Sequence, residues 1–121
     1  MTHYELNHVA LHVIDVEKSS KFYRNALKLE TMERPAFDFP GAWFRLGEFQ
    51  ELHLIGGRNS TVHSLPRSNH FALRVDNIDD WEEYFTKIGQ EYLPRCTRPD
   101  GASQFFVADP DGHHIELFTG P

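Results

Sequence analysis

The feature that most restricts how this chain can fold is an internal repeat. Asn7 to Val13 (NHVALHV) lies over Asn69 to Val75 (NHFALRV), and Glu51-Leu-His-Leu54 lies over Glu116-Leu-Phe-Thr119. Between these landmarks the same order of elements occurs twice. Leu6 to Ile14 reads as a buried strand. Asp15 then stands as an N-cap for a helix over 16–29, with Phe22, Tyr23, Ala26 and Leu27 on one face. Pro35, Pro40 and Gly41 mark a loop, after which Ala42 to Leu46 and Glu51 to Ile55 read as two strands. Gly56 to Ser68 is polar and rich in turn residues, a linker by composition. Beyond it Asn69 to Val75 reads as a strand, and Asp79 or Asp80 caps a helix that Gly89 ends near Ile88. Tyr92 to Cys96, Gln104 to Ala108 and His114 to Thr119 read as further strands, the last two joined by the turn Asp109-Pro-Asp-Gly112. A recurring order of strand, helix and Glu-Leu strand outranks any single motif in choosing a fold. The chain is therefore expected to be one α+β domain of two βαβββ modules, at about 4–56 and 69–121, joined by a linker at about 57–68.

Strand periodicity then sorts the side chains. On the first strand Val9, Leu11 and Val13 oppose His8, Ala10 and His12; on its counterpart Phe71, Leu73 and Val75 oppose His70, Ala72 and Arg74. Leu52 and Leu54 oppose Glu51 and His53, and Ile115 and Leu117 oppose Glu116 and Phe118. One face of each strand is apolar enough to pack on a helix. The other collects imidazoles, carboxylates and a guanidinium, which inside a fold must be wet, paired or bound to a metal. An ordinary half-solvated sheet is the plain alternative. The separation of His from Glu, 43 residues in the first half and 46 in the second, brings the same ligand types to equivalent places in both copies. Imidazole plus carboxylate without thiolate suits one Zn, Ni, Co, Mn or Fe ion.

Bulk composition narrows the partners. A net charge of −6 over 121 residues, with no Lys/Arg run, argues against nucleic acid or anionic membrane and leaves small molecules. The single cysteine, Cys96, excludes a disulfide framework and a Cys-based zinc site. The opening Met-Thr-His-Tyr-Glu-Leu has neither a basic nor an apolar signal region, so a cytoplasmic location is expected.

Leu6-Asn-His8-Val-Ala-Leu, Phe22-Tyr-Arg-Asn-Ala-Leu27, Glu51-Leu, Asn69-His70-Phe-Ala-Leu and Asp109-Pro-Asp-Gly-His-His-Ile-Glu116-Leu together resemble the vicinal oxygen chelate superfamily, over essentially the whole chain. That superfamily includes glyoxalase I, methylmalonyl-CoA epimerase, fosfomycin-resistance thiol transferases, extradiol dioxygenases and bleomycin-resistance proteins. The resemblance implies a curved eight-stranded mixed sheet with helices on the convex face, usually in a homodimer. It assigns His8, Glu51, His70 and Glu116 as metal ligands, with His53 able to replace Glu51 or to touch substrate. Glu116, and after it Glu51, would be the base of a lyase or isomerase that removes a proton next to a chelated carbonyl. His53, Arg74, His12, Trp43 and Phe106 would line the substrate pocket; the plain alternatives are an ion pair with Glu51 or Glu116 for Arg74, a core place for Trp43 and ordinary packing for Phe106. An Fe(II) dioxygenase, a thiol transferase and a metal-free bleomycin-type binding protein are the other activities the scaffold hosts. The glutathione-gripping Arg of bacterial glyoxalase I falls at His12, and its Asn falls near Ile55. The Lys/Ser/Tyr set of the fosfomycin enzymes falls at Arg95-Cys-Thr-Arg98 and Phe105-Phe106. Both departures point away from those two named substrates.

Overall fold

The computed structural model describes residue 1 and residues 3–121. It divides into two units, Met1–Ser60 and Thr61–Pro121. The first runs β1 (His8–His12), α1 (Val16–Lys21), β2 (Thr31–Met32), β3 (Gly41–Leu46) and β4 (Gln50–Ile55). The second runs β5 (His70–Arg74), α2 (Ile78–Ile88), β6 (Cys96–Thr97), β7 (Ser103–Ala108) and β8 (His114–Thr119). Each is a βαβββ module, so the expected α+β class is what the molecule has. Strand order is β1-β4-β3-β2 in one sheet and β5-β8-β7-β6 in the other. The strands thus form two four-stranded sheets, where one continuous eight-stranded sheet was expected. The reason lies in the ladders: every strand finds its partners inside its own module, and β1 and β5 end up as sheet edges. Among the described residues no helix is long and apolar enough to cross a membrane.

In the first unit Asp15 caps α1, its side chain accepting from the Lys18 N–H at 3.1 Å. The helix then widens into a π-helical turn over Phe22–Ala26, and Leu27 N–H returns five residues to the Phe22 carbonyl at 3.3 Å. It stops short of the expected Leu29 because Lys28 adopts φ 57°, a left-handed conformation no helix continues through. This widening carries Tyr23 and Leu27 to the sheet, where they bury with Val13, Phe44, Leu46, Leu52 and Leu54. Full burial of such side chains is worth about 1.5–3 kcal/mol each. Gly41 opens β3 because a β-carbon there would come within 2.5 Å of the Leu54 carbonyl oxygen. β2, only two residues long, was not foreseen; two residues carry no periodic signal.

In the second unit the cap of α2 is Asn77, whose side chain accepts from the Asp79 N–H at 2.9 Å, and neither Asp79 nor Asp80 takes that role. Gly89 ends the helix at φ 73°, as its position implied. Phe85 is completely buried among Trp81, Tyr84, Tyr92 and Phe105. The strand expected over Tyr92 to Cys96 is displaced to Cys96–Thr97; Tyr92 instead packs its ring on Phe85 and Phe105. Before β8 the buried Asp109 accepts from the N–H groups of Asp111 and His113, both at 2.9 Å, and Gly112 turns the chain at φ 97°. That turn sets where β8 begins and therefore which way Glu116 points.

Candidate metal centre

The parallel ladders decide which side chains become neighbours. In the first unit His8 lies opposite Glu51, and Ala10 opposite His53. In the second His70 lies opposite His114, and Ala72 opposite Glu116. The antiparallel ladders agree: Trp43 faces His53 and Arg45 faces Glu51, while Phe106 faces Glu116 and Ala108 faces His114. By ladder position, then, His53 corresponds to Glu116 and Glu51 to His114. This departs by two residues from the sequence overlay, which matched Glu51 with Glu116. Sequence overlay follows the Glu-Leu pair; the ladder follows the length of the turn that precedes each strand.

In the second unit His70 Nε2 lies 3.2 Å from Glu116 Oε1. Glu116 Oε2 receives Arg98 Nη1 at 3.4 Å, and the Glu116 side chain is 9% exposed. Phe106, itself buried, meets the His70 ring edge-on at 5.0 Å. A buried carboxylate with only these partners is costly to leave uncompensated. The separation fits two donors on one ion, since ligand distances of about 2.0–2.2 Å at angles near 100° put neighbouring donors roughly 3 Å apart.

In the first unit His53 is sandwiched: its ring stacks on Trp43 at 4.1 Å and 2°, and on His8 at 4.1 Å and 15°. His53 Nε2 lies 2.8 Å from Glu51 Oε1, and Arg45 Nη1 lies 3.8 Å from Glu51 Oε2. Because a carboxylate only accepts, Nε2 of His53 is the donor in this contact. His8 Nδ1 donates to the Asn7 side-chain oxygen at 2.8 Å, which leaves Nε2 as its acceptor nitrogen. All the donors are nitrogen or oxygen, the chemistry a borderline divalent ion accepts. Among the described residues no three His, Cys, Asp or Glu side chains form a group spaced to hold a metal. The contacts are pairs within each unit.

The remaining candidates divide. Trp43 stacks on His53 and Phe106 meets His70 edge-on. His12 Nε2 bonds the Gly56 carbonyl at 3.1 Å. Arg74 neighbours Phe118, its guanidinium carbon 5.3 Å from the ring centre, and bonds the Gly120 carbonyl at 3.4 Å. The ion pair with Glu51 or Glu116 that sequence offers Arg74 does not form: Arg45 lies 3.8 Å from Glu51 and Arg98 3.4 Å from Glu116. Sequence reading missed that role, since Arg98 reaches Glu116 across 18 residues through a turn that pattern does not specify. Arg98 also pairs with Asp100, which raises the guanidinium pKa and holds the Asp100 carboxyl below its ordinary range. Arg95 is drawn away from this region by Asp79 and Glu82 on α2, and its pKa is raised chiefly by the Asp79 contact.

The likeness to known proteins follows the same two-module frame. Metallothiol transferase FosB of Staphylococcus saprophyticus is 31% identical over 121 residues, covering 95% of this chain and 76% of that protein. Lactoylglutathione lyase of Salmonella typhimurium is 34% identical over 121 residues, covering 93% and 90%. The crystal structure of a glyoxalase family protein from Bacillus anthracis superposes with a TM-score of 0.83 at 28% identity over 100% of both chains. The family model for the Glyoxalase/Bleomycin resistance protein/Dioxygenase superfamily matches residues 5–117, and the chain belongs to that superfamily.

Proposed function

We propose that this protein is a divalent-metal-dependent lyase or isomerase that removes a proton from carbon next to a carbonyl of a small molecule. The observation that carries the reading is the buried Glu116 carboxylate 3.2 Å from His70 Nε2, a carboxylate–imidazole pair at metal-ligand spacing. His8, His70 and Glu116, with one donor from β4 (Glu51 or His53), would hold one Zn, Ni, Co, Mn or Fe ion. The ion would supply Lewis-acid polarisation of the carbonyl oxygen.

The chain's own residues do the rest. Glu116 accepts the proton, with Glu51 the other carboxylate on the polar faces of the sheets. Its low exposure keeps water from competing for the base. Arg98, hydrogen-bonded to Glu116 Oε2, keeps that carboxylate in one orientation. Trp43, stacked on His53, and Phe106, edge-on to His70, would meet the carbon skeleton; His53, its two faces covered, would touch substrate only at its ring edge; and Arg74, beside Phe118, would offer a cation for an anionic substrate group. His12 would contribute from the end of β1 in the first unit. The enzyme acts as a homodimer in the cytoplasm.

A second reading, thiol transfer to an electrophilic carbon, is favoured by the 31% identity to a metallothiol transferase. The two readings separate in one experiment. Metal-loaded protein is incubated in D2O with a panel of α-hydroxycarbonyl compounds and their thiol adducts, and deuterium entry next to the carbonyl is followed by NMR. Exchange that needs the metal and disappears in Glu116→Gln supports proton abstraction. Thiol consumption with an epoxide, without exchange, supports transfer. A protein that takes up no divalent ion after gentle purification and reconstitution overturns both and leaves the metal-free binding role. Full turnover and metal retention in Glu116→Gln would remove Glu116 from its place.

A further inference from the structure

We propose that the loop between β2 and β3 carries a preformed aromatic subsite, in which Phe37 and Phe39, held in place by Arg34, take up an aryl substituent of the substrate. The proposal rests on the small-molecule reading above and deepens it. It names the substrate class as a carbonyl compound bearing an aromatic group.

Arg34 builds the loop. Its guanidinium carbon lies 4.8 Å from the centre of the Phe37 ring and 4.9 Å from that of Phe39, and a cation is attracted to the face of such rings. Nη2 donates to the Phe39 carbonyl at 3.0 Å. The same group lies against Gly41, where a β-carbon would come within 2.8 Å of Nη2 and 2.9 Å of Cζ. Arg34 Nε is buried with no hydrogen-bond partner, so this edge of the guanidinium is committed to packing. Pro35 and Pro40 restrict the backbone near both ends, and the Gly56 N–H donates to the Pro40 carbonyl at 2.9 Å. The loop is therefore ordered before any ligand arrives, which lowers the entropy lost on binding.

What the loop displays is apolar. Phe37 is 46% exposed and Phe39 40%, although both are rings that a fold ordinarily covers. They stack on each other at 5.2 Å and 28°, and Phe37 meets Trp43 at 6.1 Å. Trp43 in turn stacks on His53, so the exposed rings continue the aromatic surface beside the polar face of β4. Size selects the occupant. Two half-exposed phenyl rings offer roughly 200 Å². A stable protein interface needs about 800 Å² from each partner, four times as much. The patch is, however, enough to cover one face of an aryl group, in the offset or edge-on geometries aromatic pairs prefer.

Two α-hydroxycarbonyl compounds that differ only in phenyl for methyl, 2-hydroxyacetophenone and hydroxyacetone, test the subsite. Each is titrated, with and without Zn(II), into protein carrying 13C in its phenylalanine rings, with signals assigned from Phe37→Leu and Phe39→Leu. The ring signals of Phe37 and Phe39 should shift with 2-hydroxyacetophenone and not with hydroxyacetone, and the phenyl compound should bind at least about 10-fold more tightly. Phe37→Ala should reduce that ratio about 3–10-fold. Arg34→Lys keeps the charge but lacks the planar fork that stacks on two rings, and should reduce the ratio by a similar factor. An unchanged ratio in Arg34→Lys overturns Arg34 as the positioning residue. Equal affinity for the two compounds, or no shift at Phe37 and Phe39, overturns the subsite; the wild-type titration decides this even if a variant folds poorly. Shifts of these rings that follow protein concentration and not ligand also overturn it, by assigning the patch to a second copy of the chain. Deuterium exchange tells this failure from that of the catalytic reading. Exchange without ring shifts sinks the subsite alone, and ring shifts without exchange in any compound sink proton abstraction while leaving the subsite.

Discussion

Replacing Glu116 by Gln changes one oxygen for an amide nitrogen at a side chain that is 9% exposed, so shape is kept and charge is lost. Two effects on stability follow, and they have different sizes. In the metal-free protein the contacts at 3.2 Å to His70 and 3.4 Å to Arg98 lose their ionic partner. A hydrogen bond to a charged group contributes about 1.5–3 kcal/mol. The lower end applies, because Arg98 is 32% exposed and keeps Asp100 as a partner. The metal-free variant should therefore lose about 1–2 kcal/mol. In the metal-loaded protein the loss is larger. At a free metal concentration 100 times Kd, binding stabilises the native state by about 2.7 kcal/mol. Weakening that affinity by about 100-fold, the least expected on removing a ligand, leaves about 0.4 kcal/mol. For a chain of this size 1 kcal/mol corresponds to about 3–5 °C in Tm. Metal should raise the wild-type Tm by roughly 10 °C and that of Glu116→Gln by about 1–2 °C. Differential scanning calorimetry with and without excess Zn or Mn, each at a stated free concentration, measures both quantities. An undiminished metal-dependent rise in the variant would refute Glu116 as a ligand, and an unchanged metal-free Tm would refute its structural pairing with His70 and Arg98.

Fluorescence offers a quicker check on the first unit. Cu(II) titration should quench emission by static contact with Trp43, which stacks on His53 at 4.1 Å; Trp81→Phe should keep most of the quenching and Trp43→Phe should lose it. Phe85→Ala, which empties a fully buried ring site, should cost about 3–5 kcal/mol in urea denaturation, and a loss below about 1 kcal/mol would contradict the packing of α2 on β7. Asn77→Ala should lower stability by about 1 kcal/mol through the missing cap, with Asp80→Ala costing clearly less in the same assay. Arg98 holds the Asp100 carboxyl below its ordinary value of 3.8. A depressed carboxyl contributes stability above its unfolded pKa and loses it as pH falls through the folded one. The advantage of wild type over Asp100→Asn should thus be complete at neutral pH and fade as pH falls below the ordinary carboxyl range, which thermal unfolding at neutral and at progressively more acid pH would test.

Much of the architecture was legible in residue order alone. The repeat of Asn-His-hydrophobic strands, the cap at Asp15, the stop at Gly89 and the Asp109–Gly112 turn are local signals, and each operates within a few residues of its own backbone. What escaped were features with no local signal: the two-residue strand β2, the true place of β6 at Cys96–Thr97, the π-helical widening before Lys28, and the arrival of Arg98 at Glu116. Apolar alternation placed Leu52, Leu54, Ile115 and Leu117 in the core, and the structure buries all four.

By itself, then, the sequence determined the module, its duplication, and the set of imidazoles and carboxylates on the polar faces, because patterning at periods of 2 and 3.6 is a property of the chain. Tertiary structure decided which of those groups meet. Ladder register depends on turn geometry summed over the residues between two strands, and a shift of two residues leaves the facing pattern unchanged. Glu51 and His53 are therefore indistinguishable to any periodicity argument. The ladders tell them apart: Ala10 and Trp43 flank His53 as Ala72 and Phe106 flank Glu116.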